Sequence, residues 1–504
     1  MLKSVLKSGF AVAAAVLLGR VLGFGRDATV AATFGIDRSA DIAVFLIGLP
    51  DFLINVLGAG GFTAILVVHY RQKPAEAARL MFQAGLAVLL GVGALALVLI
   101  ALRGGLVDAL APGFDAAARE RTVDLLPLVL LSAPIAAMTG ASIGFLQAKG
   151  RFFVAACGAA IINTVLIAAM LGAQPGRTLS VLAAAILAGA LLRWLVQAAV
   201  IGREGIGGIA FRPWLVDRSL MKAFVRAAAT EAVVFFYPFA LRAIATLFGV
   251  GALASVNYAT KLVQLPLGVV VMTLTTILLP QLAGLAPRER NAADLGPFRR
   301  LAVHGQFWIL VLSAMAVAVL VVHGSWLVRL AFGWGEIGPD GLAAIASFTA
   351  VFSLSLLPMG LNVFLRRALN ALGETKSPMS AEIAGFATFI ASAFAVIAAD
   401  GPLEAVLLCA AGGCFVSMVM LLAAMSQRGV PLVQEFRRPG LWAAVVLSAL
   451  ATAAPGLILE RLAPGHAWLP AIAIALGGLA GLCAALAVNR EARAAVRTLL
   501  PRRQ

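Results

Sequence analysis

Apolar runs of about 20 residues follow one another along the whole chain, separated by short polar connections. Within a run the apolar positions are continuous. They do not alternate with polar ones, as in a half-buried strand, nor keep to one stripe, as in a surface helix. A helix of about 20 residues crosses a hydrocarbon layer of about 30 Å with every backbone group satisfied internally. The runs predict membrane-spanning helices at 8–33, 41–69, 77–102, 123–147, 153–173, 178–201, 220–247, 252–283, 301–322, 341–365, 379–399, 404–427, 440–458 and 468–489. The expected fold is all-α and integral to a membrane, with about fourteen spans.

Composition agrees with that pattern. Of 504 residues 62% are hydrophobic and 12% charged, against about 25% charged in soluble domains. No polar linker divides the chain. The formal charge is +16, from 39 Lys+Arg and 23 Asp+Glu, which in a soluble protein would suggest a nucleic-acid partner. Here its distribution points to the membrane. The two termini and the connections near 70–76, 148–152, 202–222, 284–300, 366–378 and 428–438 carry 26 Lys+Arg, and the opposite connections seven, with six inside spans. Basic connections stay inside, so both termini are expected in the cytoplasm. The start, Met1 to Lys7, resembles a signal-peptide n-region. The run after it leads into Arg20, Arg26 and Asp27 without a small-residue cleavage site, which predicts a retained first span. Cys157, Cys409, Cys414 and Cys483 fall inside apolar runs and read as small core residues. The four histidines are scattered, so no metal site is expected.

The chain echoes itself. Phe34-Gly35 precedes Leu49-Pro50, and Phe248-Gly249 precedes Leu265-Pro266. Leu146-Gln147-Ala148-Lys149-Gly150-Arg151 parallels Leu369-Asn370-Ala371-Leu372-Gly373-Glu374. The echoes predict two six-helix lobes, 1–218 and 219–430, followed by two further helices and a basic tail, 431–504. Two repeated lobes with a site at mid-membrane are a transporter plan.

A charge inside the bilayer costs roughly 2.5–3.5 kcal/mol or more, so it needs a reason. Arg20 and Arg26, on span 1, and Lys261, on span 8, read as a cationic cavity between the lobes for an anionic substrate. Guanidinium forks suit phosphate and pyrophosphate. The alternative is internal pairing, Arg26 with Asp41 or Arg226 with Glu231. Arg193 and Arg226, near span ends, are expected to snorkel. Asp51 has no evident partner. Glu231 and Glu382 are either neutral acids bonded to backbone or sites coupling transport to a Na⁺ or H⁺ gradient. No Gly-rich loop ending in Gly-Lys-Ser/Thr and no paired nucleophile and base appear. The chain is therefore not expected to be an enzyme or to carry a cofactor. An ion gradient, the membrane potential, substrate flux or a partner would drive it.

Gly19-Arg20-Val21-Leu22-Gly23-Phe24-Gly25-Arg26-Asp27 resembles the first-helix signature of the MurJ (MviN) lipid II flippases. The resemblance continues through Phe34-Gly35, Ala40-Asp41, Leu49-Pro50 and Gly60-Gly61-Phe62. It resumes at Tyr258-Ala259-Thr260-Lys261-Leu262, Gln264-Leu265-Pro266-Leu267-Gly268 and Ile277-Leu278-Leu279-Pro280, and again at Gly373-Glu374-Thr375-Lys376-Ser377-Pro378. It implies a MOP-superfamily exporter of the bacterial inner membrane, working by alternating access. Its substrate would be lipid II, an undecaprenyl-pyrophosphate-linked disaccharide-pentapeptide, carried outward for peptidoglycan assembly and cell shape. The resemblance gives functional weight to Arg20, Arg26 and Asp41, and to Lys261 where the family usually has arginine. It places the lipid tail along the last two helices. The chain is expected to work as a monomer. The chain departs from the family at Ile54-Asn55, where paired arginines are common, and at Ala59, where a glutamate is. Arg242 stands near an acid of some members and adds a candidate substrate-binding cation. These departures keep open a second cargo, another polyprenyl-pyrophosphate-linked glycan such as an exopolysaccharide unit. A multidrug antiporter of the MATE type needs acids in its cavity, and a scaffold has no use for intramembrane cations.

Overall fold

The computed structural model describes residues 2–54, 61–174, 176–203, 213–286, 295–462 and 468–488. At residues 2–13, 53–54, 61–62, 64–65, 223, 226–234 and 462 it describes the backbone alone. Among the described residues there are helices and no strands. The chain forms two compact units, one of residues 1–257 and 334–338, the other of 258–333 and 339–504.

The first unit contains α1 (Leu2–Phe34), α2 (Arg38–Ile54), α3 (Gly61–Gln72), α4 (Ala77–Ala101), α5 (Arg103–Leu110), α6 (Ala116–Ala148), α7 (Phe152–Ala156), α8 (Gly158–Leu171), α9 (Thr178–Arg203) and α10 (Arg218–Ala245). The long α6 is central and packs on α2, α3, α4 and α9, while α1 packs on α8. Small residues permit that last approach: Gly19 faces Ala159, and the Asn163 amide donates to the Gly19 carbonyl at 3.2 Å. Gly35 ends α1 in the left-handed conformation, φ 64°, which glycine adopts at little cost. Asp37 then accepts from the Ser39 and Ala40 N–H groups, starting α2. Asp115 and Asp217 cap α6 and α10 in the same way. Buried Gln83 of α4 holds the approach to α10, donating to the Pro213 carbonyl and accepting from the Leu215 N–H. A core of Leu66, Leu80, Val88, Ala137 and Phe145 lies under these contacts.

The partition falls inside α11 (Ala252–Pro266). The second unit continues through a π-helical turn, Leu267–Val271, directly after Pro266. A proline cannot donate the usual helical bond, and a widened turn accommodates the loss. There follow α12 (Met272–Leu285), α13 (Gly296–Phe332), α14 (Pro339–Ser353), α15 (Leu356–Ala371), α16 (Lys376–Ala398), α17 (Leu403–Gln427), α18 (Pro439–Leu462) and α19 (Leu469–Val488). Here α13 is central, packing on α12, α14, α15 and α18, and its core includes Phe298, Ile309, Leu361 and Phe364. The pairs α16–α17 and α18–α19 close over glycines. Gly385 lies against Gly413, and Gly477 against the backbone of Thr452.

Nine described helices are long and apolar enough to cross a membrane, or ten if the α14–α15 pair, bent by 47°, is one span. Fourteen is the sequence's count and is finer than these helices establish. The span expected at 41–69 is two helices, α2 and α3, on either side of residues 55–60. The contact partition at 257/258 groups what packs together. The lobes expected from the repeat divide at 218/219, and the two divisions rest on different properties.

Candidate functional site

Four charged residues of the first unit come together on α1, α2 and α10. Arg26 and Asp27 are neighbours on α1, both buried, 5% and 3% exposed. Nε and Nη2 of Arg26 donate to one Asp27 oxygen, at 3.1 and 2.9 Å. Nη1 donates to Asp51 of α2 at 3.3 Å. The Asp51 side chain is 45% exposed, so Arg26 has one sealed carboxylate and one open to exchange. Arg242, half-buried on α10, joins them, with Asp27, Asp51 and Arg26 as the charges acting on it. Its Nη1 stands 3.0 Å from where a β-carbon on Gly48 would lie, so the missing side chain of Gly48 makes room for the guanidinium.

The four formal charges cancel. Pairing offsets part of the cost of placing each charge in an apolar layer, and removing one partner of a buried pair strands the other. The set differs from a bare cationic pocket. Two of the Arg26 donors go to buried Asp27 and the third to the half-exposed Asp51.

Other expected site residues are placed differently. Arg20 lies exposed on α1. Asp41 does not pair with Arg26, the internal pairing set against the cavity. Its buried carboxylate accepts from the N–H groups of Gly251 and Ala254, at 2.6 and 2.8 Å. Those are among the first N–H groups at the start of α11, where the helix has no donors' partners of its own. Lys261 is half-buried on α11 in the second unit. Glu382, on α16, pairs with Arg366 of α15 at 3.4 Å. The side chains of Arg226, Glu231 and Ile54, and all of Asn55 and Ala59, lie outside the described residues. The sequence left Asp51 without a partner; its signal was an acid inside an apolar run, which has to be paired.

A family model described as "Lipid II flippase MurJ" matches residues 30–489, a range that begins just after Arg20, Arg26 and Asp27. The "Probable lipid II flippase MurJ" of Rhizobium meliloti (strain 1021) is 27% identical over 475 residues, covering 89% of this chain and 86% of that protein. A solved structure, "Lipid II flippase MurJ, inward closed conformation", superposes with a TM-score of 0.80 at 17% identity, over 95% of this chain and 99% of that one. The inward-facing conformation of a multidrug resistance MATE family transporter of the MOP superfamily superposes with a TM-score of 0.69 at 14% identity, over 82% and 96%. At these identities the superpositions speak to fold alone.

Proposed function

This chain belongs to the MurJ lipid II flippase family, and from that premise we propose that it carries lipid II from the cytoplasmic to the periplasmic face of the bacterial inner membrane. The family is one of transporters, so the chain is read as a multi-span carrier and not as an enzyme. The observation that carries the reading is the Arg26–Asp27–Asp51–Arg242 cluster, in which Arg26 is held by two carboxylates of unequal exposure and Arg242 stands within reach of their charge.

In this proposal the pyrophosphate displaces Asp51 from Nη1 of Arg26 and takes Arg242 as a second fork. Charge-assisted bonds to phosphate are about twice as strong as neutral ones. Lys261 is the proposed substrate-binding cation of the second unit, and exposed Arg20 meets the substrate first. Asp41 acts through the start of α11 and does not touch the anion. Alternating access, a working monomer, fourteen spans and cytoplasmic termini belong to the same proposal. The prenyl tail stays in lipid beside α18 and α19. The driving force is a Na⁺ or H⁺ gradient or the membrane potential. The Arg366 pairing of Glu382 favours the potential over ion binding at that acid, and transport that survives collapse of gradients and potential together would remove coupling.

The test is rescue of cells depleted of their own lipid II flippase. The wild-type chain is expected to restore growth and shape, and Arg26→Ala to insert normally and fail. An Arg26→Ala chain that rescues would defeat the role given to the cluster. A wild-type chain that is inserted and folded but does not rescue would move the cargo to another polyprenyl-pyrophosphate-linked glycan, which Ile54-Asn55 keeps in view.

A further inference from the structure

In the second unit α13 packs on α18, and a histidine lies in the seam. His323 stands one residue past the apolar run 301–322 and is 6% exposed. Its ring rests on Gly456 of α18. A β-carbon there would stand 2.4 Å from both Cε1 and Nε2 of the ring, and 3.0 Å from Cγ1 of Val322. The ring therefore fits only because position 456 has no side chain. Nε2 is out of contact with solvent and has no hydrogen-bond partner among the described residues.

A neutral imidazole suits this place. With its proton on the other ring nitrogen, Nε2 lacks only a donor to its lone pair. A second proton would press a cation and an unsatisfied N–H against the backbone of α18, which costs far more. Among the described residues, α12 and α19 carry no charged side chain. The other elements packed on α13 carry Asp340 (α14), Arg366 and Arg367 (α15), Glu435 and Arg437 (the turn Leu432–Arg437), and Glu460 and Arg461 (α18). Of all these, Glu460 is the charge that acts on His323. It lies four residues beyond Gly456, so on the same face of α18, and it is exposed. A carboxylate thus waits at the open end of the seam.

We propose that His323 and Glu460 form a proton-operated release between α13 and α18, in which the neutral ring packs on Gly456 and the protonated ring leaves it for the Glu460 carboxylate. Histidine changes charge in the range where such a release is useful. The sign follows from burial. The ring gains its proton more readily when the seam is open, so the contact is complete above the ordinary histidine value of about 6.5 and weakens as pH falls below it. The helices loosened are α18 and, with it, α19. That this end faces the periplasm, and that a prenyl tail lies beside these helices, rest on the function proposed above; the release itself does not.

The test is amide hydrogen exchange along α18 in the purified full chain in neutral detergent, at pH 7.5 and 5.5. Exchange reads local opening, and wild type is compared with His323→Gln at each pH so that the intrinsic chemistry of exchange cancels. Between the two pH values the ratio of wild-type to variant rates near Gly456 is expected to rise, by up to about tenfold, the limit for one histidine one unit below its ordinary value. Glu460→Gln changes an exposed side chain and is expected to need a more acid medium than wild type for the same opening. A ratio that is the same at both pH values would make His323 a packing residue and overturn the release. A Glu460→Gln profile identical to wild type would overturn the pairing. Because the readout is opening of one seam, it stands or falls separately from rescue of flippase-depleted cells.

Discussion

Arg26 divides its donors between two aspartates, and the division makes the two unequal. Asp27 takes two of the three bonds and is sealed in, whereas Asp51 takes one, at 3.3 Å, and is 45% exposed. Removing Asp27 strands a buried guanidinium, and Asp27→Ala is expected to cost about 3 kcal/mol of stability. Asp51→Ala removes a half-exposed partner and is expected to cost no more than about 1 kcal/mol. It also leaves Nη1 of Arg26 unoccupied, so rescue is expected to survive in Asp51→Ala and fail in Arg26→Ala. Thermal unfolding of the purified variants beside the rescue assay checks both. Equal destabilisation by the two aspartate changes would contradict the unequal roles.

Helix ends are where polar side chains do structural work in this chain. Asp41 caps α11 across from another helix, and Asp115 caps α6 while pairing with Arg38. Asp115 is on a connection outside the spans. The Ala118 N–H and the Arg38 guanidinium hold its carboxyl below the ordinary value of 3.8, and Arg119 does the same to Asp108. A carboxyl lowered in the folded state contributes stability above its ordinary value, and the contribution fades as pH falls through the lowered folded value. Acid below about pH 4 is therefore expected to loosen this end of α6. Asp115→Asn, which has no proton to gain, is expected to lose less of its Tm over that range than wild type. A pH series of thermal unfolding reads it, and identical profiles would remove Asp115 as a source of acid sensitivity.

At the scale of the whole chain, family membership fixes a transporter, and the superposition on MATE carriers shows a fold shared with proteins of different cargo. Orientation rests on charge alone: 26 Lys+Arg in one set of connections and seven in the other. With Cys157, Cys409, Cys414 and Cys483 replaced, Arg103→Cys is expected to react with a membrane-impermeant thiol reagent in intact cells. Lys73→Cys is expected to react only after the membrane is opened. The reverse pattern would invert the topology and, with it, the proposed direction of transport.

The residue order by itself determined the helical membrane class, the motifs of the family and the fact that Arg20, Arg26 and Lys261 needed explaining. Hydropathy is summed along the chain, and a run of about 20 apolar residues has few ways to satisfy its backbone in lipid. The tertiary structure alone decided which charges meet. Arg26 and Asp51 lie 25 positions apart, and Arg242 stands on a third helix. Their meeting depends on how α1, α2 and α10 are rotated about their axes, and at Gly48 the missing side chain leaves room for the Arg242 guanidinium. For the same reason Asp41, an apparent partner for Arg26 in the sequence, turned out to cap α11. A helix's existence follows from its own residues, but the direction its charges face follows from its neighbours.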